Sequence, residues 1–518
     1  MTSGIHHITA LTRKIQANVD FYAGFLGLRL VKRTAGYEDA DQLHLFYGDA
    51  AASPGSLITF LAWEDGSRGR VGHGQPSEIA LAVRPEAIGF WLTRALTFGI
   101  AATGPAQEFG EPVLRLKDPD GIIVKLVGEA DVAGPAPHVT KDIAAADAIQ
   151  RIRGATVLSE KPAETAAFIA GHFGFRAVAE ANGIIRLAGD AGDVLDIRDA
   201  GGFWTAAPGT GSIDHIALRA PDRAAVEAAA GRLAGEDAGE TNMHDRLYFY
   251  SLYVREPGGS LLEYATDGPG MTIDEPRETL GMQLFVPKHF RADPDDVQAR
   301  LPQFSLPGED RMPERDLPFI HRVHRPENPD GTAVVLLHGT GGNETSLLPF
   351  GVRLAPDAVL LSPRGRSVDE GHPRFFRRLS MTTFDQKDIV GEAEAFAAFM
   401  EGANAAYGLD PDKTLFVGYS NGANMIGAIM LLHPGIIRNA VLLRGMNVLE
   451  TVPPTDLPGT NVLMLSGQSD PYGRYAGELE RHLAARGATV EHRLLPAGHD
   501  IGGADLELAK AYRERIIG

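Results

Sequence analysis

The chain has 518 residues, more than the roughly 250 to 300 that one hydrophobic core supports, so at least two domains are expected. Its formal net charge of −18 argues against a nucleic-acid partner, whose binding surface would concentrate Lys and Arg. With no cysteine, disulfides, thiolate metal sites and cysteine nucleophiles are excluded, and any metal must sit on His and carboxylates.

From the N-terminus, residues 1–10 carry no leader pattern, and no later stretch stays apolar long enough to span a bilayer. A cytoplasmic enzyme with no membrane partner is the expectation. Four units of one pattern follow, Ile5–Trp63, Glu78–Val127, Ile152–Ile197 and Ile213–Ala265, each a strand, an amphipathic helix and further strands closed by a glycine turn. The helices are read at Asn18–Leu26, Pro85–Phe98, Pro162–Phe173 and Asp222–Leu233. Hairpin turns are read at Pro54-Gly55, Asp118–Gly121, Ala191-Gly192 and Glu256–Gly259. This is an α+β half of four βαβββ units, grouped as 1–135 and 150–270. Proline and charge rise over 271–317, which reads as a linker with one helix at Asp293–Leu301. Over 318–518, strands at Ala333–Leu337, Ala358–Leu361, Thr414–Val417, Ala440–Leu443 and Val462–Leu465 alternate with helices, which predicts a mostly parallel α/β sheet.

Aligning the four units on their closing glycines puts Thr59, Lys125, Asp196 and Glu263 at one position. At the opening strands, histidine occurs in the first unit (His6-His7) and the fourth (His215), against Glu78 in the second and Ala155 or Thr156 in the third. One metal site on His7, His215 and Glu263 is the economical reading. Two imidazoles and one carboxylate leave half an octahedron open, which suits Fe(II), with Mn(II) as the alternative ion. Side chains alternate along a regular strand, so only one of His6 and His7 is expected to ligate, and register with His215 selects His7.

Ile5-His6-His7-Ile8-Thr9, Phe21-Tyr22, Leu43-His44-Leu45, Asp214-His215-Ile216-Ala217, and Asp245–Phe249 running through Arg255–Gly259 to Glu263–Asp267 resemble the ring-cleaving hydroquinone dioxygenases of the vicinal oxygen chelate, or glyoxalase-like, superfamily. The resemblance covers residues 4 to 290. It implies the vicinal oxygen chelate fold, Fe(II) on His7, His215 and Glu263, and an aromatic substrate with dioxygen. It also implies roles for His6 in proton transfer, Tyr253 in donating to bound oxygen and Arg246 in holding a phenolate. At Asp214 the sequence departs from relatives that carry a second histidine. Competing readings are a glyoxalase-type lyase or isomerase, whose site has two carboxylates, and a metal-free aromatic-binding module.

In the C-terminal half, Gly418-Tyr419-Ser420-Asn421-Gly422 sits between an apolar strand and a helix, the setting of a nucleophile elbow. Asp470, after the strand ending at Leu465, and His499, in Ala497-Gly498-His499, complete the order Ser, Asp, His. Backbone amides at Thr340, in His338-Gly339-Thr340-Gly341-Gly342, and at Asn421 are candidates for the oxyanion hole. These parts resemble small carboxylesterase and phospholipase-type α/β-hydrolases, which implies hydrolysis of small esters or acyl compounds. The sequence leaves a homo-oligomer open.

Overall fold

The computed structural model describes residues 4–130, 136–235, 241–290, 293–311 and 316–517. The chain forms two compact units, Met1–Arg291 with Phe304–Asp310, and Ala292–Gln303 with Arg311–Gly518. Residues 271–291 and 304–310 of the stretch read as a linker thus fall in the first unit, and 292–303 and 311–317 in the second. Among the described residues no helix is long and apolar enough to cross a membrane.

The first unit holds two sheets. The first and fourth repeats build a nine-stranded sheet in which Ile5–Thr12 runs antiparallel to Ile213–Ala220. The second and third repeats build an eight-stranded sheet around the antiparallel pair Gln75–Val83 and Arg151–Ser159. This is the expected glyoxalase-like fold, with repeats paired one with four and two with three. Helices follow the reading closely at Ile88–Phe98 and Pro162–Phe173. The first begins earlier, at Ile15, and continues as a π-helix over Asp20–Phe25. Asn18 is no helix start: it is buried, and its Oδ1 accepts from Tyr47 Oη at 2.9 Å.

Ladder register superposes the repeats. His7 pairs with Leu57 of its parallel neighbour, two places before Thr59, and His215 pairs with Leu261, two places before Glu263. In the other sheet Glu78 pairs with Ile123, two before Lys125, and Gly154 pairs with Val194, two before Asp196. Gly154, rather than Ala155 or Thr156, therefore holds the position of His215. Backbone crowds this point: a Cβ there would lie 2.2 Å from the Val194 carbonyl oxygen.

The second unit is a seven-stranded sheet, parallel except for the edge strand His321–His324, which the sequence reading missed. Alternate residues of Ala333–Leu337 feed two cores. Val335 and Leu337 pack with Ile389, Phe396 and Ile426 of the helices Gln386–Tyr407 and Asn421–Leu432. Val334 and Leu336 pack with Leu348, Ala509 and Tyr512 of the helices Leu348–Leu354 and Gly503–Ile516. Helices on both faces of a parallel sheet are the expected α/β arrangement.

Candidate active sites

In the nine-stranded sheet, His7, His215 and Glu263 converge, all buried. His7 Nε2 lies 3.1 Å and His215 Nε2 3.0 Å from Glu263 Oε2, and the two imidazole nitrogens are 3.3 Å apart. Both Glu263 oxygens are nonetheless without a well-directed hydrogen bond among the described residues. Lone pairs that approach without hydrogen-bond direction fit a common cation. Spacings of 3.0 to 3.3 Å are those of donor atoms that could share one ion. The donor set fits a divalent metal ion, and the residue equivalent to Glu263 in the first repeat is Thr59, which leaves that side free of a protein carboxylate.

Bulges explain how the ligands are held. The ladder between the two opening strands slips at His6, between the Ile5 and His7 pairs, and at Asp214, between the His215 and Ile213 pairs. The strand is therefore not regular here, and His6 comes beside His7, although only His7 joins the donor set. His6 Nδ1 lies 2.8 Å from His7 Nδ1, and His215 Nδ1–H donates to Asp214 Oδ2 at 2.7 Å. Each histidine ligand is thus contacted by the bulged residue before it, and Asp214 fixes the tautomer that presents Nε2 of His215 to the site. Burial lowers the His6 pKa to about 3 despite Glu263 and Asp267. Burial also opposes charge on His215, yet Asp214 and Glu263 outweigh it and raise the His215 pKa to about 9. In the metal-free protein a proton at His215 therefore competes with metal.

Around the triad, Tyr253 packs edge-on to His215 at 5.5 Å, and Phe249 packs against His6 and His7 at 5.2 Å each. Arg246 bonds Glu38 at 2.7 Å and lies over the rings of Tyr37 and Tyr253. Sequence reading gave no role to His44, whose Nε2 is 3.0 Å from Thr59 Oγ1, itself 2.9 Å from Thr9 Oγ1. Its place in the Leu43-His44-Leu45 alternation was the available signal.

Among the described residues the eight-stranded sheet carries no such donor set. Lys125 Nζ lies 3.5 Å from Glu78, 3.6 Å from Asp196 and 3.3 Å from Glu108, so an ammonium is the cation at the equivalent place. Arg115 clasps Glu78 and Arg186 clasps Asp196, completing a buried network.

In the second unit, Ser420 has φ 51° and ψ −111° at the turn between Thr414–Tyr419 and its helix. Flanking glycines are required there: a Cβ on Gly422 would lie 2.1 Å from the Leu337 carbonyl oxygen. Ser420 Oγ donates to His499 Nε2 at 3.0 Å, and His499 Nδ1–H donates to Asp470 Oδ2 at 3.0 Å. The structure therefore brings together all three residues singled out from sequence. His338 Nδ1–H donates to Gly339 O at 2.7 Å and its Nε2 accepts from Gly365 N, which pins the loop carrying Thr340. Asn421 opens the helix, where its amide has no carbonyl one turn back, and its Oδ1 accepts from Phe375 N at 2.7 Å. Arg444, which the sequence reading passed over, donates to Gly498 O at 2.9 Å and Asp500 O at 2.7 Å, on either side of His499. Asp505 holds Arg444 through two bonds, at 2.7 and 3.0 Å.

A second Ser–His–acid line exists, with Ser466 Oγ 2.9 Å from His492 Nε2 and His492 Nδ1 2.8 Å from Glu480. Ser466 lies buried inside a regular strand, without the strained turn that exposes Ser420, so distance alone does not make it a nucleophile.

Residues 4–126 match the Glyoxalase/Bleomycin resistance protein/Dioxygenase superfamily. "Putative ring-cleaving dioxygenase MhqO" of Bacillus subtilis is 36% identical over 311 residues, 59% of this chain and 97% of that protein. "Chlorohydroquinone/hydroquinone 1,2-dioxygenase" of Sphingobium indicum is 30% identical over 57% of this chain and 94% of its own length. "Putative hydrolase MhqD" of Bacillus subtilis is 34% identical over 187 residues, 36% of this chain and 94% of that protein. The chain therefore belongs to the ring-cleaving dioxygenase family of the glyoxalase superfamily, fused in one polypeptide to a hydrolase related to MhqD.

Proposed function

We propose that the N-terminal unit opens the ring of a hydroquinone with both atoms of dioxygen, using Fe(II) on His7, His215 and Glu263. The C-terminal unit would hydrolyse an ester or acyl compound through Ser420, His499 and Asp470. The observation that carries the first part is the convergence of two imidazoles and one carboxylate, with threonine at the fourth equivalent position. When bound, Fe(II) supplies open positions at which an aromatic hydroxyl and dioxygen can meet. Arg246 offers a cation for a phenolate, Tyr253 a hydroxyl donor, and His6 a buried imidazole beside His7 to hold or pass a proton. Phe249 packs against both histidines and would limit the access of water there. A single carboxylate in the set favours this reading over a glyoxalase-type lyase, and the fully buried donor set disfavours a metal-free binding module.

For the hydrolase, His499 accepts the serine proton and returns it to the leaving group, Asp470 stabilises the imidazolium, and amides of Thr340 and Asn421 would receive the oxyanion. Fusion suggests that both reactions serve one degradation route for aromatic compounds, since it fixes a high local concentration of each enzyme for the other's product. The decisive experiment is anaerobic reconstitution with Fe(II) or Mn(II), followed by oxygen uptake on methylhydroquinone against catechol, in the parent and in His7→Ala. Uptake that needs metal and His7 upholds the reading. Metal bound without uptake on any hydroquinone refutes it.

A further inference from the structure

Among the described residues six Lys or Arg are buried: Lys32, Lys125, Arg153, Arg186, Arg374 and Arg444. Five have a carboxylate within ion-pair distance: Lys32 with Glu275 at 2.9 Å, Lys125 with Glu108 at 3.3 Å, Arg153 with Glu111, Arg186 with Asp196 and Arg444 with Asp505, each at 2.7 Å. Arg374 has none among the described residues. A buried cation without an anion is costly, and such a group persists where it has a task.

Its position indicates the task. Arg374 Nη1 donates to Thr340 Oγ1 at 2.7 Å, on the loop expected to receive the oxyanion, and its Nε donates to Phe376 O at 3.2 Å. The next residue's amide, Phe375 N, donates to the side chain of Asn421, the neighbour of Ser420. Asn421 is buried as well, and its Nδ2 has no hydrogen-bond partner among the described residues. A guanidinium lacking its anion and an amide N–H lacking its acceptor therefore flank one short stretch of chain beside the nucleophile. The nearby Asp369 favours the charge on Arg374 but lies beyond ion-pair distance from it, is shared with Arg378 at 3.4 Å, and is opposed by the Arg378 charge. Both unmet groups ask for the same partner, an anion with several acceptor oxygens.

We propose that the hydrolase acts on acyl substrates that carry a carboxylate, and that Arg374 with Asn421 Nδ2 receives it. This rests on Ser420 being the nucleophile. It also suits the reaction proposed for the first unit. When both oxygens of O2 enter between a hydroxyl-bearing ring carbon and its neighbour, that C–C bond breaks and the hydroxyl-bearing carbon becomes a carboxyl group. That product holds no ester itself, but an ester later formed at another of its groups would carry this anion. In the hydrolysis itself, Ser420 Oγ bonds the acyl carbon, the ester C–O bond breaks, His499 gives its proton to the departing alkoxide, and water then releases the acid.

The test compares 4-nitrophenyl acetate with the 4-nitrophenyl monoester of succinic acid on the full chain. The parent is expected to prefer the succinate by about tenfold or more in kcat/KM, the scale of one charge-assisted contact, with the preference shrinking as salt is raised. Arg374→Met should lower the succinate-to-acetate ratio by about the same factor, chiefly through KM, and Arg374→Lys should fall between. A parent with no preference for the anionic ester overturns the proposal, and this arm needs no variant to fold. Equal loss on both esters in Arg374→Met also overturns it, assigning Arg374 to the oxyanion loop alone. Activity surviving in Ser420→Ala would instead overturn the nucleophile assignment.

Discussion

Removing the carboxylate of Asp505 should unfasten the loop that carries His499. The Arg444 and Asp505 side chains are 0% and 2% exposed, so Asp505→Ala strands a guanidinium among backbone carbonyls. Breaking one side of such a pair costs about 3 to 5 kcal/mol. With a urea m-value of about 2 kcal/mol/M, the unfolding midpoint of the second unit should fall by about 2 M. The chain allows the two units to be followed separately, because Trp63, Trp91 and Trp204, its three tryptophans, all lie in the first unit. Tryptophan fluorescence against urea should not move. Labelling of Ser420 by a fluorophosphonate, read across the same urea series, should collapse at the lower concentration. The double replacement Arg444→Met with Asp505→Leu removes both charges and fills their volume, so it should restore most of the stability while leaving the Gly498 and Asp500 carbonyls unclasped. Its kcat should stay about tenfold or more below the parent, since a misplaced base lowers the rate even in a stable fold. A labelling midpoint that does not shift in Asp505→Ala, or a double replacement as unstable as the single one, would refute this reasoning.

Asp214→Asn should weaken metal binding about 10- to 100-fold by titration with Fe(II) or Mn(II), because it loses the carboxylate that orients His215. Glu263→Gln should bind metal still more weakly, and its oxygen uptake on methylhydroquinone should be lost with it. Ser466→Ala should label with fluorophosphonate like the parent and Ser420→Ala should not label at all, as mass spectrometry of the adduct would check. Lys125→Met should lower the tryptophan-detected urea midpoint of the first unit by about 1 to 2 M, because about 3 kcal/mol or more is lost when buried carboxylates keep no ammonium between them.

Much of both sites was legible because their residues recur at fixed places in a pattern. Glu263 is found by counting from a glycine turn, and Ser420 by a strand–turn–helix setting that leaves few backbone choices. What escaped depends on contacts between distant segments. The bulge at His6 turns on the pairing of Ile5 with Leu218, which no local propensity encodes. The Leu43-His44-Leu45 alternation marks His44 in the sequence, but its partner Thr59 lies on another strand. Arg444 and Arg374 look like ordinary arginines until burial and the presence or absence of a carboxylate distinguish them. The edge strand His321–His324 is short and polar, so its sequence resembles loop.

Lys125 gives half of the N-terminal unit a counter-ion that is part of the polypeptide. A chelator can strip an ion from the histidine side but cannot strip an ammonium joined to its own backbone. Loss of an ion from the histidine side would leave the Lys125 ion pairs of the eight-stranded sheet in place.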